Sequence, residues 1–236
     1  MEVLYYGDHE EQLIDVYASN DKNGEHADKW IVLVHGGYWR QKFDRSLNDK
    51  MIEVLTNKGY NVANVEYRRG EHKWPIPEED VKKAVQTFRN SEFVGEGQSL
   101  ILIGHSVGGQ LVLNNEDEAD RIVALSPVTE VPYTKAKELG RNAAEEYFGD
   151  VSEDILYAAS PISRLPLNTK TLIIHGFDDT QVEIDTTIDY VTKNTENTID
   201  LYAFSSLAHM DNIEPEGRHF DLMLEWVDQE QENEEN

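Results

Sequence analysis

Residues 100–109 read Leu100-Ile101-Leu102-Ile103-Gly104-His105-Ser106-Val107-Gly108-Gly109, and this stretch decides the fold. Four apolar residues run into Gly-x-Ser-x-Gly and then into a second apolar stretch ending near Asn114. That order predicts a strand turning sharply into a helix, with a serine at the corner. The pattern has a steric origin, because the glycines leave room for strand and helix to approach more closely than side chains allow. With 15 Gly and 11 Ser in 236 residues, chance supplies about 0.04 such matches, so an idle serine in a Gly-rich turn is the weaker reading. A helix start also presents unpaired N–H groups and a positive dipole end, both suited to a developing anion.

Outward from this corner, short apolar runs alternate with longer amphipathic stretches. Trp30-Ile31-Val32-Leu33-Val34, residues 60–67, Ile122-Val123-Ala124-Leu125, Thr171-Leu172-Ile173-Ile174 and residues 199–204 read as strands. Helical spacing covers residues 44–58, 78–89, 182–193 and 216–227. Strands this apolar need both faces covered, which predicts an α/β fold with a mostly parallel, doubly wound sheet and helices on both faces. One domain is expected over residues 1–227. Residues 127–165 are long enough for a small helical cap, and residues 228–236 are expected to be a disordered acidic tail.

In such sheets ligands sit at the carboxyl ends of the strands. The stretches found there are His35-Gly36-Gly37-Tyr38-Trp39, the serine corner, His175-Gly176-Phe177-Asp178-Asp179 and Ser205-Ser206-Leu207-Ala208-His209. Together they hold every residue type that acyl transfer requires. A serine hydroxyl needs a base within hydrogen-bond reach, itself oriented by a carboxylate. The chain order serine, acid, histidine selects Ser106, then Asp178 or Asp179, then His209. His219 is a rival base, but it falls inside the predicted last helix. The oxyanion donors are expected at the Val107 N–H, directly after the serine, and at Gly37 and Tyr38, where glycines let the main chain bend toward a substrate carbonyl. Trp39, Trp74 and Phe177 fall in predicted loops and are expected to line a substrate pocket. Packing of the loops onto the body is the competing role for Trp39 and Trp74.

His35, His105 and His175 each end an apolar strand and read as hydrogen-bonded supports, whereas His9, His26 and His72 read as exposed. The chain contains no His-Glu-x-x-His, Gly-x-x-x-x-Gly-Lys or Gly-x-Gly-x-x-Gly, so neither cofactor nor metal is expected.

The chain resembles the kynurenine formamidase-like esterases of the α/β-hydrolase fold. His35-Gly36-Gly37-Tyr38-Trp39-Arg40 is similar to that group's His-Gly-Gly-x-Trp motif. Tyr67-Arg68-Arg69, Trp74-Pro75, Gly104-His105-Ser106, Ala124-Leu125-Ser126-Pro127, Ser160-Pro161 and His175-Gly176 extend the likeness. The resemblance implies cofactor-free hydrolysis of N-formylkynurenine or small carboxylic esters through an acyl-enzyme. It also places the acid four residues after His175, which favours Asp179 and leaves Asp178 to cap the following turn or face water. Val107 departs from the alanine usual after the serine, and Met210 from a frequent phenylalanine. Both departures bear on the substrate, and neither on the reaction class. A thioesterase, a small peptidase or a non-catalytic module of the same fold are the alternatives.

Composition agrees with a large buried core: 39% hydrophobic and 28% charged residues, without cysteine. The lack of Cys removes disulfides and thiolate chemistry. Lys and Arg number 21 against 46 Asp and Glu, a formal net charge of −25. Such a surface repels nucleic acid and anionic membranes and disfavours anionic substrates at low salt. The expected partner is a neutral or zwitterionic acyl ester or formamide. The amino end lacks a secretory pattern and the apolar run at 30–34 is too short to cross a bilayer, so a cytoplasmic location is expected. A homodimer is compatible with the sequence.

Overall fold

The computed structural model describes residues 1–19 and 24–229. Eight strands among them form one sheet: β1 (Glu2–Tyr5), β2 (Leu13–Tyr17), β3 (Lys29–Val34), β4 (Asn61–Val65), β5 (Ser99–His105), β6 (Arg121–Leu125), β7 (Thr171–Gly176) and β8 (Ile199–Phe204). Their order is β1-β2-β4-β3-β5-β6-β7-β8. β2 runs antiparallel to both its neighbours, and every other pair is parallel. The chain winds from β3 to β4 on one side and then to β5 on the other, so the switch point lies between β3 and β5. Val34 pairs with Gly104 there, and the loops that follow the two strands leave the sheet side by side.

Side chains alternate across a strand, and the two sets feed two cores. Trp30, Val32, Val34, Leu100, Leu102 and Ile122 pack on one face with α2 (Ile76–Arg89), α3 (Val107–Asn114) and α7 (Ile184–Lys193). Ile31, Leu33, Ile101, Ile103, Val123 and Leu172 pack on the other with α1 (Asp49–Asn57) and α8 (Arg218–Asp228). Each large apolar side chain buried in this way contributes about 1.5–3 kcal/mol. The segment after β6 carries α4 (Val131–Ala136), α5 (Leu139–Phe148) and α6 (Glu153–Ala158). It packs on the loop after β3: Arg40 pairs with Glu146 at 2.7 Å, and Trp39 stacks on Tyr147.

Four local expectations change. The β1–β2 hairpin was not foreseen. The helix expected over 44–58 is a 3₁₀ turn, Arg45–Asn48, followed by α1, and Asp44 caps the turn through Ser46 N–H at 2.9 Å. His9, His26 and His72 are partly buried, with His26 stacked on Tyr60. Asp228 ends α8 and belongs to the body, since its carboxylate accepts from the Tyr60 hydroxyl at 2.6 Å and lies 3.4 Å from Lys29 Nζ. The rest of the expected tail, residues 230–236, lies outside the described residues. Among the described residues no helix is long and apolar enough to cross a membrane.

Candidate active site

Ser106 sits between β5 and α3 with φ 58° and ψ −117°, backbone angles that a residue with a side chain rarely adopts. Such strain costs about 1–3 kcal/mol and persists only where its surroundings enforce it. Here the Ser106 N–H donates to Leu125 O at 2.9 Å, and its carbonyl accepts from Gln110 and Val128 at 3.1 and 3.2 Å. Close approach does the rest: a Cβ on Gly108 would stand 2.1 Å from Val34 O, so only glycine fits. The hydroxyl ends up at the start of α3, buried and, among the described residues, without a hydrogen-bond partner. A buried polar atom left unpaired is costly, and such atoms mark places where chemistry rather than stability sets the arrangement.

His209 opens the 3₁₀ turn His209–Ile213 after β8. Its Nδ1 bonds Asp179 Oδ2 at 2.7 Å, leaving Nε2 as the ring nitrogen available to a hydroxyl. The His209 carbonyl accepts from His105 Nε2 at 3.0 Å, and the two rings lie 4.5 Å apart. The turn that carries His209 is therefore anchored on the residue directly before Ser106. Burial above all, and then the neighbouring His209, push His105 down to about 3. It stays neutral, donates one hydrogen bond and adds no charge beside His209.

Asp179 is buried and ends the loop after β7. Its Oδ1 accepts from the N–H groups of Gln181 and Val182, each at 2.9 Å. His175 Nε2 donates to Val182 O at 2.9 Å and also faces Asp179 Oδ2 at 3.4 Å. Burial pushes the Asp179 carboxyl up, but hydrogen bonds from His175 and His209 outweigh it and hold the acid far below the usual carboxylate range. Asp178 is exposed, as expected of a water-facing residue. The turn-capping role anticipated for Asp178 belongs to Asp179.

The loop after β3 carries three consecutive residues of positive φ, Gly37 at 122°, Tyr38 at 51° and Trp39 at 58°. Among the described residues no acceptor takes the N–H of Gly37 or Tyr38. The Val107 N–H, in the first turn of α3, has no partner within the helix. Beneath the loop His35 contacts Glu66 Oε1 at 3.0 Å and Gly36 O at 2.8 Å. Glu66 also accepts from the N–H groups of Arg45 and Tyr67 at 3.1 and 3.2 Å and pairs with Arg69. Burial raises Glu66, yet His35 and Arg69 bring it down to about 2. The Tyr38 hydroxyl donates to Gln181 O, tying this loop to the one that carries Asp179.

A cleft of about 480 Å³ adjoins the loop, lined in part by Tyr38, Trp39, Lys42, Lys73 and Tyr147. Trp39 is 1% exposed, with its indole N–H on Gln110 Oε1 at 3.1 Å. It borders the cleft and also packs the loop to the body, so the two roles weighed for it coexist. Trp74 is half-buried, 6.3 Å from Phe148, and Phe177 is 59% exposed. His219 lies in α8, edge-on to Phe204. The sequence treated His105 and His175 only as supports; that one holds the His209 carbonyl and the other the loop of Asp179 depends on contacts 104 and 7 residues away.

A family model described as BD-FAE matches residues 14–194. Among solved structures, esterase B from Lactobacillus Rhamnosis (HN001) superposes with a TM-score of 0.79 at 18% identity, covering 96% of this chain and 83% of that one. The same esterase B is also known inhibited by a C4-C4 tributyrin phosphonate. A truncated carbohydrate esterase from gut microbiota gives 0.81 at 15% identity, covering 96% and 95%. An esterase from the Planctomycetes species Thermogutta terrifontis, with propionate bound, gives 0.75 at 19%, covering 96% and 93%. No curated protein matches the chain. The sheet and its helices are those of the α/β-hydrolase fold that these neighbours share.

Proposed function

The chain belongs to the BD-FAE family, and from that premise we propose that it is a serine hydrolase that cleaves carboxylic esters through an acyl-enzyme. One observation carries the reading: His209 is held between the Asp179 carboxylate at 2.7 Å and the His105 ring, directly beside the serine corner. In the proposed mechanism Ser106 Oγ attacks the ester carbonyl carbon as its proton passes to His209 Nε2. The carbonyl oxygen becomes an oxyanion held by the N–H groups of Val107, Gly37 and Tyr38. Collapse breaks the C–O bond to the leaving group, which takes the proton from His209. Water then attacks the acyl-serine, giving a proton to His209 as it adds, and the serine leaves with that proton. Asp179 stays ionised throughout and orients the imidazole. No cofactor or metal enters these steps.

The acyl group is proposed to be short or aromatic and the substrate neutral or zwitterionic, with Trp74 and Phe177 at its edges and Trp39 below. Propionate and a tributyrin phosphonate in the neighbouring esterases support the short-acyl reading. The His35-Gly36-Gly37-Tyr38-Trp39 loop supports extending it to N-formyl aryl amides, because the same donors serve a formamide carbonyl. Residues 127–165 are proposed as the cap, within one domain acting in the cytoplasm without nucleic-acid or membrane partners.

The test combines a fluorophosphonate probe with a substrate panel. Wild type is expected to label at Ser106 and Ser106→Ala not to label. Acetyl, propionyl and butyryl esters are expected to turn over, and N-formylkynurenine is compared under the same conditions. Absence of wild-type labelling overturns the hydrolase, and ester turnover without formamide turnover removes only the amide extension.

A further inference from the structure

His9 and Glu11 lie between β1 and β2, whereas His72 lies in the loop between β4 and α2. The fold nevertheless brings the three together, with one potential ligand atom of each within 4.8 Å of the others. All three are partly buried, and the two imidazoles meet edge to face at 4.9 Å. None takes part in the hydrolytic chemistry. We propose that His9, Glu11 and His72 form a binding site for a divalent transition-metal ion of the zinc type, which staples the β1–β2 hairpin to the loop before α2.

The donor set argues for this class of ion. Two imidazoles and one carboxylate suit zinc and its transition-metal neighbours, whereas calcium and magnesium prefer all-oxygen cages. A tetrahedral ion with bonds of about 2.0–2.1 Å sets its ligand atoms about 3.4 Å apart. Reaching that spacing from 4.8 Å would take side-chain rotation of these partly buried groups. His9 Nδ1 already lies 3.9 Å from Glu11 Oε2. It accepts the Glu11 N–H at 3.2 Å, a long hydrogen bond that the ion would replace.

Glu11 is prepared for such a role. Its Oε1 is occupied by Gln41 Nε2 and by Arg69 Nη1, which orient the carboxylate and leave Oε2 facing the imidazoles. Outer partners of this kind are what fix a metal-binding carboxylate. Arg69 is also paired with the buried Glu66, so its charge is offset before an ion arrives. The formal net charge of −25 favours cations in general. Gly70, Glu71 and Lys73, in the loop that carries His72, border the cleft beside Tyr38, so the staple would brace one wall of that cleft.

The test uses the untagged full chain, titrated with zinc chloride in a calorimeter at physiological ionic strength, with magnesium and calcium chloride as controls. The expected result is saturable one-to-one zinc binding that magnesium and calcium do not reproduce. Tm should rise by about 5–10 °C at a hundredfold excess over Kd. His9→Ala and His72→Ala should each weaken binding by about tenfold or more, and Glu11→Gln likewise, while short-ester turnover stays at the wild-type rate. Absence of one-to-one binding, or binding unchanged in either histidine variant, overturns the site. Because ester turnover is read in parallel, failure of the staple is distinguishable from failure of the hydrolase reading.

Discussion

The two ends of the sheet are built to different standards. At the amino end Arg121, 6% exposed, donates to the carbonyls of Trp226, Val227 and Gln229 and stacks over the Trp226 ring at 3.8 Å. It closes the last turn of α8, where orphan carbonyls and the negative dipole end need a cation. At the carboxyl end the Ser106 hydroxyl has no partner among the described residues, and Asp179, His209 and the neutral His105 crowd together. Backbone strain divides the same way. Among the described residues every non-glycine of positive φ is at that end or in the insert after β6: Tyr38, Trp39, Ser106, Ser126, Glu138, Arg141 and Asn142. One end spends its side chains on stability, and the other holds groups in positions that stability alone would not choose.

The sharpest way to break this contrast is at the acid and the nucleophile. Ser106→Ala is expected to lower kcat for a short ester by about 10⁴-fold or more, measured alongside loss of the fluorophosphonate label. Asp179→Asn should cost about 10³–10⁴-fold by leaving His209 without its orienting partner, whereas Asp178→Asn stays within about twofold. If Asp178→Asn were the inactive variant, the roles of the two aspartates would be reversed.

Acid titration probes the same end. Ordinary His has a pKa of about 6.5, and folded His105 lies at about 3. As pH falls through this window the unfolded chain takes a proton that the folded chain refuses, so folding stability is lost by up to a few kcal/mol. Glu66 adds a second, lower window. Its folded value of about 2 lies under an unfolded value of about 4.3, so its stabilisation is complete above pH 4.3 and is lost as pH falls toward 2, about 3 kcal/mol in all. Urea unfolding at a series of pH values should show the upper slope flattened in His105→Leu and the lower one in Glu66→Gln. His105→Leu should also lower kcat by about tenfold, because the carbonyl of the base loses its donor.

Two milder substitutions should separate the ends in opposite directions. Arg121→Ala is expected to destabilise the fold by about 2–3 kcal/mol while the folded fraction keeps its kcat/KM. Ser106→Gly should be inactive yet more stable by about 1 kcal/mol, since glycine adopts its backbone angles without strain. Equal effects of both on activity would erase the distinction.

The parallel part of the sheet was legible because its central strands carry apolar runs, Trp30–Val34, Leu100–Ile103, Ile122–Leu125 and Leu172–Ile174, as burial on both faces requires. The β1–β2 hairpin was not. β1 is an exposed edge, and the run of β2 is broken by Asp15, whose burial is made tolerable by Arg45 thirty residues away. Strand ends and chain order singled out Ser106 and His209 and left the acid open between Asp178 and Asp179, a choice that rested on the resemblance; in the fold it is Asp179 that bonds His209. The function of Trp39 could not, since an indole that packs and an indole that faces a ligand look alike until Gln110 is placed against its N–H. Likewise His9 and His72 read as surface residues because nothing in one dimension says they meet.

A single phenol, that of Tyr38, reaches from the loop that would cradle the oxyanion to the turn that steadies Asp179. The two halves of the machinery thus share a mechanical linkage. On the proposed mechanism, a ligand that displaced the Tyr38 ring would also pull on the turn that holds Asp179. On that reading, selectivity would reside in the tether as well as in the shape of the site.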